Sequence, residues 1–141
     1  MNFKEHSDVS NKIVGTDEVE RLIEDYGHKD SNPAMADKLG YLRSARTITK
    51  VRIISFPLAN ESRVSAIIRE YKAYLQMKPE NYTHFVFCIE YSMHHPLLMD
   101  EEQRLRAFLQ ALCPTESNSI IFSAVDESLK ERILVTIICS N

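Results

Sequence analysis

Histidine and sulfur-bearing side chains, which can serve as metal ligands or nucleophiles, cluster in one stretch of the sequence. The stretch contains His84, Cys88, Met93, His94 and His95. A structural zinc site usually shows paired ligands at short regular spacings from two places, and that pattern is absent. We therefore expect an exposed loop after a strand, with no bound metal or other cofactor. The three histidines stay a candidate ligand loop. An enzyme whose active site is built around these histidines is one possible function of the chain.

The cysteines do not form a recognisable nucleophilic site. Cys113 precedes Pro114 at the predicted end of a helix, where the helix dipole raises a thiol pKa. Cys88 falls inside a predicted strand and should be buried. Since no base is placed beside either thiol, we expect no nucleophilic catalysis and predict that the chain is not an enzyme.

The sequence indicates the cytoplasm as the default compartment. Its three cysteines are odd in number and widely spaced, so no disulfide pattern is apparent. The start MNFKEHSDVS lacks the order of a secretory signal. No apolar run approaches the roughly 20 residues that a membrane helix needs, so we expect no membrane partner.

The charged residues suggest a surface for protein contacts rather than for nucleic acid. The net charge is -3, with 17 basic and 20 acidic residues, so no phosphate-binding surface is indicated. Lys50 and Arg52 could receive an acidic partner, although edge charges more often prevent strand aggregation. The adjacent Asp126 and Glu127 are typical of a solvated turn, which Lys130 follows. These five residues form the candidate interaction surface.

The N-terminal third of the chain is predicted to be helical. Residues 1–15 are polar and are expected to be a mobile arm. Val19, Leu22, Ile23 and Tyr26 then fall on one helical face. A second short helix is predicted to begin at Pro33. Together these segments form an N-terminal arm and helical extension over residues 1–45.

The rest of the chain, residues 46–141, is predicted to be an α/β (α+β) domain. Its strands are RTITKVRIISF, THFVFCIEY, SIIFSAV and RILVTIICS, with an amphipathic helix after each of the first two. The order β-α-β-α-β-β and right-handed crossovers place both helices on one face of a mixed four-stranded sheet, a two-layer sandwich. The short polar segment between the last two strands predicts a hairpin.

The end of this domain resembles a known family. In IIFSAVDESLKERILVTIIC, residues 120–139, two apolar residues and an aromatic lead through small residues to an acidic turn containing Leu, and a Val-Thr-Ile-Ile run follows. This pattern is similar to the terminal hairpin of the C-terminal domain of the FtsZ/tubulin family. FVFCIEY and MDEEQRLRAFLQALCP occupy the places of its preceding strand and its acidic-capped helix. The resemblance covers residues 46–141.

The resemblance implies architecture without the family's activity. FtsZ holds GTP with a Gly-rich loop in a separate N-terminal domain. Here Gly15, Gly27 and Gly40 are isolated, so no phosphate cradle can be assembled. We expect a non-catalytic protein-interaction or assembly module, associating with a protein partner or with itself and linked to bacterial cell-division filaments. The alternative is a small-molecule-binding regulatory domain on the same scaffold, with the N-terminal helices closing a pocket.

Overall fold

The structure is a computed structural model that describes residues 8–74 and 78–141. The strands are β1 (Asp8–Lys12), β2 (Ile48–Ile54), β3 (His84–Tyr91), β4 (Asn118–Val125) and β5 (Leu134–Ser140). The helices are α1 (Thr16–Gly27), α2 (Met35–Lys38), α3 (Arg63–Tyr74) and α4 (Met99–Leu112). Short 3-10 segments cover Leu39–Ser44, Pro79–Asn81 and Glu127–Leu129.

The strands form one open mixed sheet in the order β1-β2-β5-β3-β4. Strand β4 is parallel to β3, and every other neighbouring pair is antiparallel. The four strands predicted from the sequence are all present, as are the helices between them. The predicted α/β fold class is therefore confirmed.

The predicted hairpin between the last two strands is wrong. Strand β5 pairs with β2 and β3, whereas β4 pairs with β3, which separates it from β5. All of β5 is buried, so the strand needs a neighbour on both edges and a cover on both faces. A position in the middle of the sheet, between β2 and β3, gives β5 a neighbour on both edges and a cover on both faces. The crossover through α4 places β4 on the far side of β3, at the edge of the sheet.

Side-chain alternation in the strands divides the core into two parts. Helices α3 and α4 cover one face, as predicted, and pack on a cluster that includes Val51, Phe87, Leu109 and Ile137. Helices α1 and α2 cover the opposite face around a second cluster. This cluster includes Tyr26, Leu39, Leu42, Phe122 and Ile138. The domain predicted as a two-layer sandwich, with helices on one face of the sheet, thus also has the N-terminal helices packed on the opposite face of the sheet.

The prediction of a mobile arm is wrong for Asp8–Lys12, which is the edge strand β1. Its backbone pairs with β2 at Asn11↔Lys50 and Lys12↔Thr49. A short polar strand that is held by main-chain hydrogen bonds needs no alternation of apolar and polar residues. The sequence therefore carries no signal that predicts β1. Residues 1–7 lie outside the described residues, and the domain boundary at residue 46 stays a prediction.

Candidate interaction surface

Three loops meet at one end of the sheet. Strands β2, β3 and β4 all end there, and β5 begins there, because β5 runs antiparallel to both its neighbours. The segments that emerge are residues 55–62, 92–98 and 126–133. We call them the carboxyl-end surface, together with the first turn of α4 that follows the second segment.

Arg63 ties these segments together. Its guanidinium makes a bidentate pair with Glu101 of α4, with Nε–Oε2 at 2.7 Å and Nη2–Oε1 at 2.8 Å. It also donates to the carbonyls of His95 at 3.0 Å, Pro96 at 2.8 Å and Glu131 at 3.2 Å. Arg63 is the first residue of α3, so one side chain joins two helices and two loops.

Glu101 completes this junction from the first turn of α4. Its Oε1 accepts the backbone N–H of Leu98 at 3.1 Å, one of the donors that a helix start leaves without an internal partner. The hydrogen bonds from Arg63 are the main reason that the pKa of the Glu101 carboxyl lies below its usual value, against the effect of burial. Glu101 is therefore held ionised.

Glu127 organises the loop after β3. Its carboxylate accepts the N–H of Met93 at 3.0 Å and the hydroxyl of Ser92 at 2.9 Å, and both bonds lower its pKa. His94 Nε2 lies 3.6 Å from the same carboxylate. The turn predicted to be merely solvated therefore orders a neighbouring loop.

Exposed apolar side chains accumulate on this ordered end. The structure has seven exposed large hydrophobic residues among those it describes, and all but Val14 belong to the carboxyl-end surface or border it. They are Phe56, Leu58, Met93, Leu98, Met99 and Val125. Met99 is 76% exposed. Such a collection on one end is typical of a protein-contact site rather than of scattered surface residues.

Two open clefts lie between these loops. One, of about 390 Å³, is bordered by Arg63, His94, His95 and Leu98. The other, of about 490 Å³, lies between Phe56 and the turn before β5. Arg63 already contacts one carboxylate and three carbonyls. It is therefore poorly placed to bind a small anion in the first cleft.

The five residues of the candidate interaction surface fall in two places. Asp126, Glu127 and Lys130 are at the carboxyl-end surface, and Lys130 has a positive φ of 57°, a conformation that non-glycine residues rarely adopt. Lys50 and Arg52 are half-buried in mid-β2, on the face that α1 and α2 cover. The interaction role of all five stays a prediction.

The three histidines of the candidate ligand loop are also separated. His94 and His95 are exposed in the loop after β3, whereas His84 begins that strand, about 25 Å away along eight extended residues. The His84 ring packs on Tyr41 with centroids 4.8 Å apart, and its Nδ1 lies 2.9 Å from Thr83 Oγ1. The structure thus joins only two of the three.

Neither a metal-ligand cluster nor a membrane span is found in the part of the chain that the structure describes. Within residues 8–74 and 78–141, no group of three or more His, Cys, Asp or Glu side chains could hold an ion. Over the same ranges, no helix is both long and apolar enough to cross a bilayer.

The cysteines are poor nucleophiles. Burial raises the pKa of Cys139 to about 12 and also raises those of Cys88 and Cys113. Cys88 and Cys139 are fully buried, while Cys113 is half-buried.

We therefore expect only Cys113 to react with a thiol reagent such as Ellman's reagent in the native protein at pH 8. The two buried thiols should react only after unfolding. The absorbance of the chromophore released from the reagent, measured before and after adding guanidinium chloride, gives the number of reactive thiols in the native and in the unfolded protein. Fast native labelling of all three cysteines would contradict the burial of Cys88 and Cys139.

Sequence reasoning missed the residues that build this surface. Arg63 was one of many charged residues on an amphipathic helix, and its partners lie 32 to 68 positions away. Leu98 precedes α4 and Met99 is its first residue, and both are apolar residues outside the helical stripe. The adjacent Asp126 and Glu127 stand out in the sequence, but the role of Glu127 in holding Met93 depends on the fold.

Comparison with known proteins identifies the architecture. No protein-family model matches the chain, and no curated protein sequence matches it significantly. Among solved structures, it is similar to a point mutant of FtsZ from M. jannaschii, with a TM-score of 0.53 and 15% identity over 75% of this chain and 31% of that one.

The fold is that of the FtsZ C-terminal domain. A GTPγS-form protofilament of TubZ from Bacillus thuringiensis serovar israelensis is also similar, with a TM-score of 0.49 and 12% identity over 86% of this chain and 39% of TubZ. The chain thus spans about a third of these FtsZ and TubZ chains. The likeness covers only part of each and establishes the fold alone.

Proposed function

We propose that this FtsZ-fold chain is a non-catalytic interaction module that docks onto a filament-forming protein of the FtsZ or TubZ type. It neither binds nor hydrolyses GTP itself. The proposal rests on the carboxyl-end surface, where exposed Phe56, Leu58, Met93, Leu98 and Met99 gather around an ordered junction. Because the chain has the fold of part of FtsZ, FtsZ is the first partner to test.

The geometry of the junction supports a docking role. The bonds of Arg63 and Glu127 hold the loops that carry Met93, Leu98 and Met99 before any partner arrives. A surface that is already ordered loses less conformational entropy on binding. Apolar anchors within a polar rim are also the usual source of affinity at protein interfaces.

The decisive experiment measures binding to purified FtsZ with and without GTP, by pull-down and by light scattering during polymerisation. We expect the wild-type chain to associate and to change the polymerisation trace. Met99→Glu should weaken association at least about tenfold, because a charge would be placed in the apolar centre of the contact. Circular dichroism verifies that the variant is folded.

Val14→Glu is the matched control, since Val14 is 67% exposed but lies before α1, away from the carboxyl-end surface. It should bind like the wild type. No association of the wild-type chain with FtsZ, and no effect on its polymerisation, would remove the proposal. Equal losses for the two variants would show that another surface is used.

A further inference from the structure

The two edges of the sheet differ in how they resist further strand pairing. The β1 edge is short, its register with β2 shifts between Asp8 and Asn11, and it ends at Lys12. These are common devices that prevent edge-to-edge association. Strand β4, at the other edge, pairs with β3 in unbroken register along all eight residues. It carries no charged residue, no proline and no bulge.

The backbone of β4 presents a regular set of groups to the open side. The N–H of Asn118 bonds to Thr83 and that of Asp126 to Tyr91, so even-numbered residues direct their main chain towards β3. The odd-numbered residues Ser119, Ile121 and Ser123 direct theirs outward. Across residues 8–74 and 78–141, no other segment hydrogen bonds to these three backbones.

We propose that this edge pairs with the β4 strand of a second copy of the chain. The two strands run antiparallel about a two-fold axis at Ile121 and join two five-stranded sheets into one of ten strands. Outward backbones then meet in hydrogen-bonded pairs, with Ser119 opposite the second copy's Ser123 and Ile121 opposite its own equivalent. This dimerisation surface runs along the β4 edge and meets the carboxyl-end surface only at Val125.

The side chains of β4 are self-complementary in this register. On the α1 side, Ile120 lies opposite Phe122 of the other copy, so apolar residues meet on both sides of the axis. On the other face Ser119 and Ser123 lie opposite each other, where two hydroxyls can bond. A second copy fits the uncharged strand because no like charges oppose one another.

A pair of charge variants tests both the surface and its register. Ser119→Lys with Ser123→Lys places like charges opposite one another twice, while Ser119→Lys with Ser123→Glu places opposite charges at the same points. Sedimentation equilibrium of the full chain should show a wild-type dimer. The dissociation constant should rise at least about tenfold in the Lys/Lys variant and stay within about threefold of the wild type in the Lys/Glu variant.

Both variants replace the same two edge serines with charged side chains, and thermal melting verifies that each variant is folded. A wild-type chain that remains monomeric at the highest soluble concentration would overturn the proposal. A dissociation constant that is unchanged in the Lys/Lys variant would also overturn the proposal, as would an equal loss of the dimer in both variants. None of these three results depends on FtsZ, so a failure of the dimer proposal is distinct from a failure of the docking proposal.

Discussion

Replacing Arg63 with alanine should destabilise the protein by about 3 kcal/mol, which corresponds to a fall of about 10 °C in Tm. The side chains of Arg63 and Glu101 are only 14% and 16% exposed, so removing the guanidinium leaves a carboxylate largely desolvated and without its cation. The carbonyls of Pro96 and Glu131 lose a donor at the same time. Urea titration followed by circular dichroism measures the free energy of unfolding.

Arg106→Ala is the matched control for this prediction. Arg106 pairs with Glu102 four residues away on α4, but these side chains are 35% and 41% exposed. Such pairs contribute about 0.5 kcal/mol or less. If the Arg63 and Arg106 variants lost similar stability, the junction would be ordinary surface pairing.

The effect of Arg63→Ala should also depend on pH. The pKa of Glu101 is lowered in the folded state, so the stability from its ion pair is present above the unfolded pKa of about 4.3 and is lost as pH falls through the folded pKa. The difference in unfolding free energy between wild type and variant should therefore shrink below about pH 4. A constant difference down to pH 3 would mean that the Arg63–Glu101 pair is not its origin.

Lys29→Ala should be similarly destabilising, by about 3 kcal/mol, because it isolates a buried carboxylate. Glu90 in β3 is 3% exposed and bonds to Lys29 Nζ at 3.0 Å, and Lys29 also lies over the ring of Tyr26. Burial is the largest single influence and lowers the pKa of the Lys29 ammonium, but the hydrogen bond to Glu90 and the attraction of its negative charge together outweigh burial, so the pKa is raised. This pair links the segment after α1 to the carboxyl end of β3, and chemical denaturation measures the stability lost with it.

A double variant separates the ion pair from the packing around it. Lys29→Met with Glu90→Met fills the same space with apolar atoms and should be within about 1 kcal/mol of the wild type. Glu20→Ala, which breaks an exposed pair with Arg43, should leave the free energy of unfolding nearly unchanged. If the double variant were as unstable as Lys29→Ala, the charges themselves would be required.

The carboxyl-end surface was predictable only in its parts. The Asp126–Glu127 pair and the histidine loop stand out in the sequence, but Arg63 does not. The function of Arg63 arises from distant carbonyls, and backbone acceptors carry no residue identity that a sequence pattern could reveal. The same limit concealed β1, whose pairing with β2 uses main-chain groups of a short polar segment.

Apart from β1, the sequence by itself determined which segments of this protein become strands and long helices and which faces they bury. Apolar residues with a period of two in β3 and a helical period in α4 can be buried only against a matching surface. Only the tertiary structure decided that β5 lies between β2 and β3 and leaves β4 at an open edge. It also decided that the residues around Arg63 meet, because contacts between distant segments depend on strand order, which local periodicity does not encode.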